Sequence, residues 1–123
     1  MKIILLYIVT LVVLGALDAV WITLTKSMYA SHIGHLLSGK IVWWAAILFY
    51  LFYAGAIVYF AVLGSTSLSQ AVLRGAILGF TAYMTYDLTN LATLSNWPAQ
   101  VALMDIAWGT VLTAAVAAAA SLI

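Results

Sequence analysis

Asp18, Asp87 and Asp105 are the three acidic residues of this chain, and each stands inside a long apolar segment. A carboxylate in hydrocarbon costs about 2.5–3.5 kcal/mol on insertion scales, so such residues mark functional sites by default. Carboxylates at close quarters can hold a cation, or divide the roles of acid and base between them. They can equally act as plain interhelical hydrogen-bonding groups. Three ionised carboxylates cannot share one dry layer, so either a cation compensates them or some carry a proton. His32 and His35 stand at i, i+3 spacing and are candidates for a metal site or a proton relay. His-x-x-His with remote carboxylates is not a specific zinc signature, and two solvated loop histidines give the same pattern. The sequence points to no particular cofactor.

These residues need elements that place them. Hydrophobic residues make up 67% and charged residues 6% of 123 positions. A soluble domain carries about 25% charge, so the composition is that of an integral membrane protein. The expected fold is all-α, a single domain built as a four-transmembrane-helix bundle, with spans at about 3–25, 41–63, 70–94 and 98–121. Ser95-Asn96-Trp97-Pro98 separates the last two spans, and Gly64-Ser65-Thr66-Ser67 makes the other tight turn. The piece from Lys26 to Lys40 is expected to be a short loop or an interfacial helix, with Tyr29, Ile33, Leu36 and Leu37 at helical spacing. Lys2 and the apolar run before Ala16-Leu17-Asp18-Ala19 imitate a signal peptide. That run continues through Val20 to Leu24, too long for an h-region of about 7–15 residues.

We call the face carrying the loop between the first two spans side B, and the opposite face side A. Lys2 and Arg74 fall on side A, Lys26 and Lys40 on side B, so the positive-inside count is tied and orientation stays open. Each acid lies eight or nine residues from a side-B helix end, which at 1.5 Å per residue is roughly 12–14 Å. Three helices thus offer one carboxyl each at a common depth. The faces agree. Gly75, Gly79, Tyr83, Tyr86, Asp87 and Asn90 fall within about 120° of arc on the third span. Asp105, Gly109 and Thr113 share a stripe on the fourth, as do Gly15, Asp18, Ile22 and Thr25 on the first. Trp43, Trp44 and Trp97 read as interfacial anchors. Trp21 and Trp108 lie deeper, within a turn of an acid, and read as pocket walls. The second span carries no charge, and Tyr50 or Tyr53 could turn a hydroxyl toward the acids.

Several classes are excluded. The chain has no cysteine, so disulfides and thiolate chemistry are out. A net charge of +1 gives no basic stripe for nucleic acid. There is no Gly-rich phosphate loop, Gly-x-Ser-x-Gly or His-Glu-x-x-His. Serine nucleophiles at Ser27, Ser31 or Ser38 have no supporting pattern.

The stretch from Gly79 through Ala82-Tyr83-Met84-Thr85-Tyr86-Asp87-Leu88-Thr89-Asn90 to Trp97-Pro98 resembles a known family, as does Asp105-Ile106-Ala107-Trp108-Gly109. It is the small bacterial "predicted membrane protein" family catalogued as a domain of unknown function. Asp18-Ala19-Val20-Trp21 and Tyr50 through Gly55 fit as well, so the resemblance covers nearly the whole chain. It implies a multi-pass four-helix protein of the bacterial inner membrane, with no established activity. It also implies a link to membrane lipids, because relatives lie beside genes for fatty-acid-modifying enzymes. Relatives often carry a proline near the start of the second span, where this chain has Ser38-Gly39-Lys40. The motif residues Asp18, Trp21, Tyr83, Tyr86, Asp87, Asn90, Asp105 and Trp108 coincide with the polar layer read from depth and face.

The leading functional expectation is a polar pocket that binds a small polar or cationic ligand or a lipid headgroup. Asp87 is its expected centre, held by Tyr83 or Tyr86 and Asn90. An intramembrane enzyme acting on lipid through Asp acid–base or metal chemistry is the second reading. A small proton-coupled exporter working as a homodimer is the third, and acids serving only as interhelical hydrogen bonds the fourth.

Overall fold

The computed structural model describes residues 2–123. Among them are four α-helices and no strand: α1 Lys2–Ile33, α2 Trp43–Ala56, α3 Leu68–Thr93 and α4 Ala99–Ser121. A 3-10 turn, Gly34–Leu36, follows α1, and a π-helical stretch, Ile57–Val62, continues α2. The segments Lys2–Leu36, Trp43–Val62 and Ala99–Ser121 are long and apolar enough to cross a membrane. With 26 residues α3 has the length, but it is the least apolar of the four. Three of its exposed threonines, Thr85, Thr89 and Thr93, satisfy themselves locally. Thr85 and Thr93 each donate to the carbonyl four residues back, at 2.7 Å. That back-bonding lets those hydroxyls face an apolar surrounding without an outside partner.

Helix α1 overruns its expected end at Thr25 by two turns, so most of the expected loop is helix. No glycine or proline interrupts the chain between Thr25 and Ile33. Tyr29 and Ile33 also gain a small core of their own, packing on Trp97, Val101 and Ala102. A helix propagates readily once its added turns bury apolar surface. The connector to α2 therefore shrinks to residues 34–42.

The π stretch is marked by the Leu63 amide donating to the Val58 carbonyl at 2.8 Å. It turns Ile57, Val58, Ala61 and Val62 into the main core, beside Leu14, Leu112 and Val116. At the start of α3, Ser67 caps the Gln70 amide at 3.2 Å, while the Gln70 side chain accepts from the Thr66 amide at 2.8 Å. This reciprocal cap fixes where the helix begins. The turn into α4 passes through Asn96 at φ 63°, a left-handed position that Asn tolerates, and Pro98 then precedes the first helical residue.

The closest helix pair is α3 against α4. A Cβ on Gly75 would lie 2.7 Å from the Thr113 carbonyl oxygen, and one on Gly79 2.7 Å from the Thr113 hydroxyl. On α4, a Cβ on Gly109 would enter the Tyr83 ring. Small residues let the two backbones approach this closely. Gly15 on α1 is different: a Cβ there meets nothing within 4 Å, so the expected glycine seam beside Asp18 is not a packing seam.

Candidate functional site

Asp18 is nearly buried on α1 and joins three helices. Its carboxylate accepts the Tyr50 hydroxyl from α2 and, at 3.1 Å, the Trp108 indole N–H from α4. Asp105 on α4 accepts the Tyr29 hydroxyl from α1. Trp21 and Trp108 stack between these two acids, with ring centroids 4.5 Å apart and planes 4° from parallel. Tyr53 does not reach an acid. Its hydroxyl pairs with that of Thr113 at 2.6 Å, next to the α3/α4 seam.

The stack fixes the register of α1 against α4. Asp18 lies three residues below Trp21 toward side A, and Asp105 three residues from Trp108 toward side B. The antiparallel pair thus sets the two acids roughly 9 Å apart along the helix axis. The expected single layer is two tiers, with the indole pair between them.

Asp87 belongs to the side-B tier but stands behind it. It is 0% exposed, and neither of its oxygens has a hydrogen-bond partner. It faces Asp105 and the Trp97 indole, whose N–H is likewise buried and unpartnered. Tyr83, Tyr86 and Asn90 do not bond to it, contrary to the expected arrangement. Tyr83 packs over Gly109 between the tiers. Tyr86 is exposed, edge-on to Trp97 at 5.8 Å, with Asn90 beside its hydroxyl. Trp97 is a core residue, 8% exposed, rather than an interfacial anchor, whereas Trp43 and Trp44 are fully outward.

A cleft of about 510 Å³ runs down this side of the bundle. Asp18, Asp105, Trp21, Trp108, Tyr29 and Tyr83 line it, and Lys26 stands among the lining residues toward its side-B mouth. Asp18, Asp105, Trp21, Trp108 and Tyr83 of the expected site thus meet in one cavity; Asp87, Tyr86 and Asn90 lie outside its wall. The histidines lie apart. His32 contacts the Met28 carbonyl at 2.9 Å and the Gln100 side chain at 3.2 Å, and His35 is exposed in the 3-10 turn. Among the described residues no three His, Cys, Asp or Glu side chains converge as a metal site.

Tyr29 is the site residue that sequence reasoning missed. It stands eleven residues after Asp18, about 20° away on a helical wheel, so it shares the acid's stripe once α1 is drawn long enough. Chemically the cleft offers two carboxylates oriented by phenol and indole donors, beside a flat π surface. That combination suits a cation.

A family model described as "Predicted membrane protein (DUF2177)" matches residues 3–122. No curated protein and no solved structure matches the chain.

Proposed function

The chain belongs to this predicted membrane protein family, whose description names no activity, and from its own residues we propose that it binds an organic cation within the membrane. The ligand is a small amine or quaternary ammonium ion, or the amine of a lipid headgroup. One observation carries the reading: Asp18 and Asp105 line one cleft with the Trp21–Trp108 stack between them. Phenol and indole donors hold both carboxylates in place without neutralising them, as an ion pair would. A desolvated cation over an indole face gains about 2 kcal/mol or more. The volume, about 510 Å³, falls in the usual range for small-molecule sites.

The test uses the full chain in phosphatidylglycerol nanodiscs, titrated with tetramethylammonium and followed by tryptophan fluorescence. The expected result is a saturable change that disappears in Asp18→Asn and Asp105→Asn and is reduced in Trp108→Phe. A linear response, or one indifferent to both Asp substitutions, refutes the proposal. Repeating the titration with phosphatidylethanolamine in the discs separates the two sources. Competition by that lipid identifies a headgroup; its absence identifies a free cation.

A second reading has its own observation, the Asp87 carboxyl set directly behind Asp105. Two carboxyl groups in different surroundings can act as acid and base on a lipid. An unchanged lipid profile in a deletion strain under several growth conditions would rule this out.

A further inference from the structure

The acidic cleft has a neighbour. Between α2 and α3 runs a second cavity of about 460 Å³, lined by Phe49, Ala82, Tyr83 and Tyr86. Tyr83 lines both spaces. One of its sides faces two carboxylates and an indole pair; the other faces a groove that is aromatic and aliphatic throughout.

Three further observations give this adjacency a direction. The groove is open to hydrocarbon, because Phe49 and Tyr86 are exposed on the outer surface of the helices. The side-B end of α2 is loosely held: Trp43, Trp44, Ile47, Leu48 and Phe52 are all exposed, and the Tyr50 bond to Asp18 ties this half of the helix to α1. Lys26 lines the cleft and pairs with no acid among the described residues, so a cation approaching from the side-B water meets a like charge. The wet entrance carries a positive charge at Lys26, and the lateral one is apolar.

We infer that the occupant is a long-chain amine or ammonium amphiphile that enters from the bilayer between α2 and α3, with its head at Asp18 and Asp105 and its hydrocarbon chain in the Phe49–Ala82–Tyr86 groove. This rests on the cation reading above and adds the ligand's class and route. Tyr83 is the partition that must swing aside as the head passes. Phe49 adjoins Tyr50, the partner of Asp18, and Tyr86 adjoins Asp87, so the groove lies at about the depth of the acids and a chain in it leaves the head sideways. A phosphate between nitrogen and chain has no counter-charge there, because Lys26 lies nearer side B. A nitrogen bonded directly to the chain fits, and a phosphodiester headgroup does not. Charge complementarity thus selects the head, and the apolar groove selects the tail.

The experiment is photolabelling of the full chain in phosphatidylglycerol nanodiscs. The probe is dodecyltrimethylammonium carrying a diazirine at mid-chain, and labelled residues are mapped by mass spectrometry. Label concentrated on Phe49, Ala82 and Tyr86, and suppressed by excess tetramethylammonium, is the expected result. Filling the groove with Ala82→Trp should weaken the dodecyl probe by about tenfold while tetramethylammonium binding is kept. Label spread over lipid-facing residues such as Ile47, Phe52 and Leu73, with tetramethylammonium still bound, overturns the amphiphile inference alone. Failure of tetramethylammonium to bind the unmutated chain overturns the cation reading with it. The mapping needs no variant, so it decides the matter even where Ala82→Trp does not fold.

Discussion

Gly79→Ala and Gly15→Ala are the same chemical change on two acid-bearing helices, and the structure assigns them opposite signs. A Cβ at Gly79 lies 2.7 Å from the Thr113 hydroxyl, where ordinary contact begins at 3.4 Å. The Gly109 carbonyl oxygen on the α4 backbone lies closer still, so moving Thr113 does not relieve the clash; α3 must withdraw from α4 by more than about 0.7 Å, which strains the Tyr53–Thr113 hydrogen bond of 2.6 Å. Overpacking of this kind costs about 1–3 kcal/mol, and a lost buried hydrogen bond about 1 kcal/mol more. At Gly15 the added methyl meets nothing within 4 Å. There the variant gains the helix preference of alanine over glycine, about 0.5–1 kcal/mol. That preference is common to both helical positions and cancels between them, so the two variants should differ by the overpacking cost, about 1–3 kcal/mol. Reversible unfolding of the full chain in mixed micelles by SDS titration, read by circular dichroism, measures the difference. The reasoning about the α3/α4 seam is refuted if Gly79→Ala is as stable as Gly15→Ala. A further consequence ties this seam to the cleft. Tyr83 is one turn beyond Gly79 and lies over Gly109, so a displaced α3 also lifts the cleft wall and weakens cation binding.

The other predictions use the same unfolding assay. A double-mutant cycle of Tyr50→Phe and Asp18→Asn should give a coupling of about 0.6–1.7 kcal/mol, the range for interhelical hydrogen bonds in membranes; zero coupling would mean the pair does not interact. Asp87→Leu should leave the protein at least as stable as the natural chain, because that buried carboxyl has no hydrogen bond to lose. A loss of more than about 2 kcal/mol would instead make Asp87 an interhelical tie. Trp97→Phe should lose less than Trp108→Phe: the Trp97 N–H is unpartnered, whereas Trp108 gives up both the Asp18 bond and the Trp21 stack. The reverse order would contradict the geometry of the cleft.

Much of this architecture is legible in the residues themselves. Apolar runs of span length, the Ser95–Pro98 turn and the Gly64–Ser67 turn determine the helix order, because hydropathy and turn chemistry are local properties. The pairing of Trp21 and Trp108 with the acids follows from depth and helical face. The end of α1 does not, since it depends on Tyr29 and Ile33 finding Trp97, Val101 and Ala102 across the bundle. The same gap hides Tyr29 as the partner of Asp105. Gly15 and Gly79 look alike in sequence, and what separates them is the distance to another helix. The π stretch at Ile57–Val62 has no local signal in its residues, which would suit an ordinary helix equally well.

Asp87 shows why helical face is a coarse guide to a site. It stands in the same i+4 row as Gly75, Gly79 and Tyr83, and that row argues correctly that the acid points inward. But the glycines also draw the α4 backbone against α3, so closely that a Cβ on Gly75 or Gly79 would strike it. A carboxyl in line with such a seam is sealed against its neighbour, and the 0% exposure of Asp87 follows. Tyr83, one turn away in the same row, escapes because its ring is too large for the seam and must lie over Gly109 into the cleft. The glycine seam that marks α3 as a packing helix therefore also excludes its acid from direct ligand contact. On the proposed cation reading, binding falls to Asp18 and Asp105 on α1 and α4, helices whose glycines do not clamp them together. Asp87→Asn should therefore preserve tetramethylammonium binding, while Asp18→Asn and Asp105→Asn abolish it. The opposite pattern would place the ligand in the α3/α4 seam, where the structure leaves it no room.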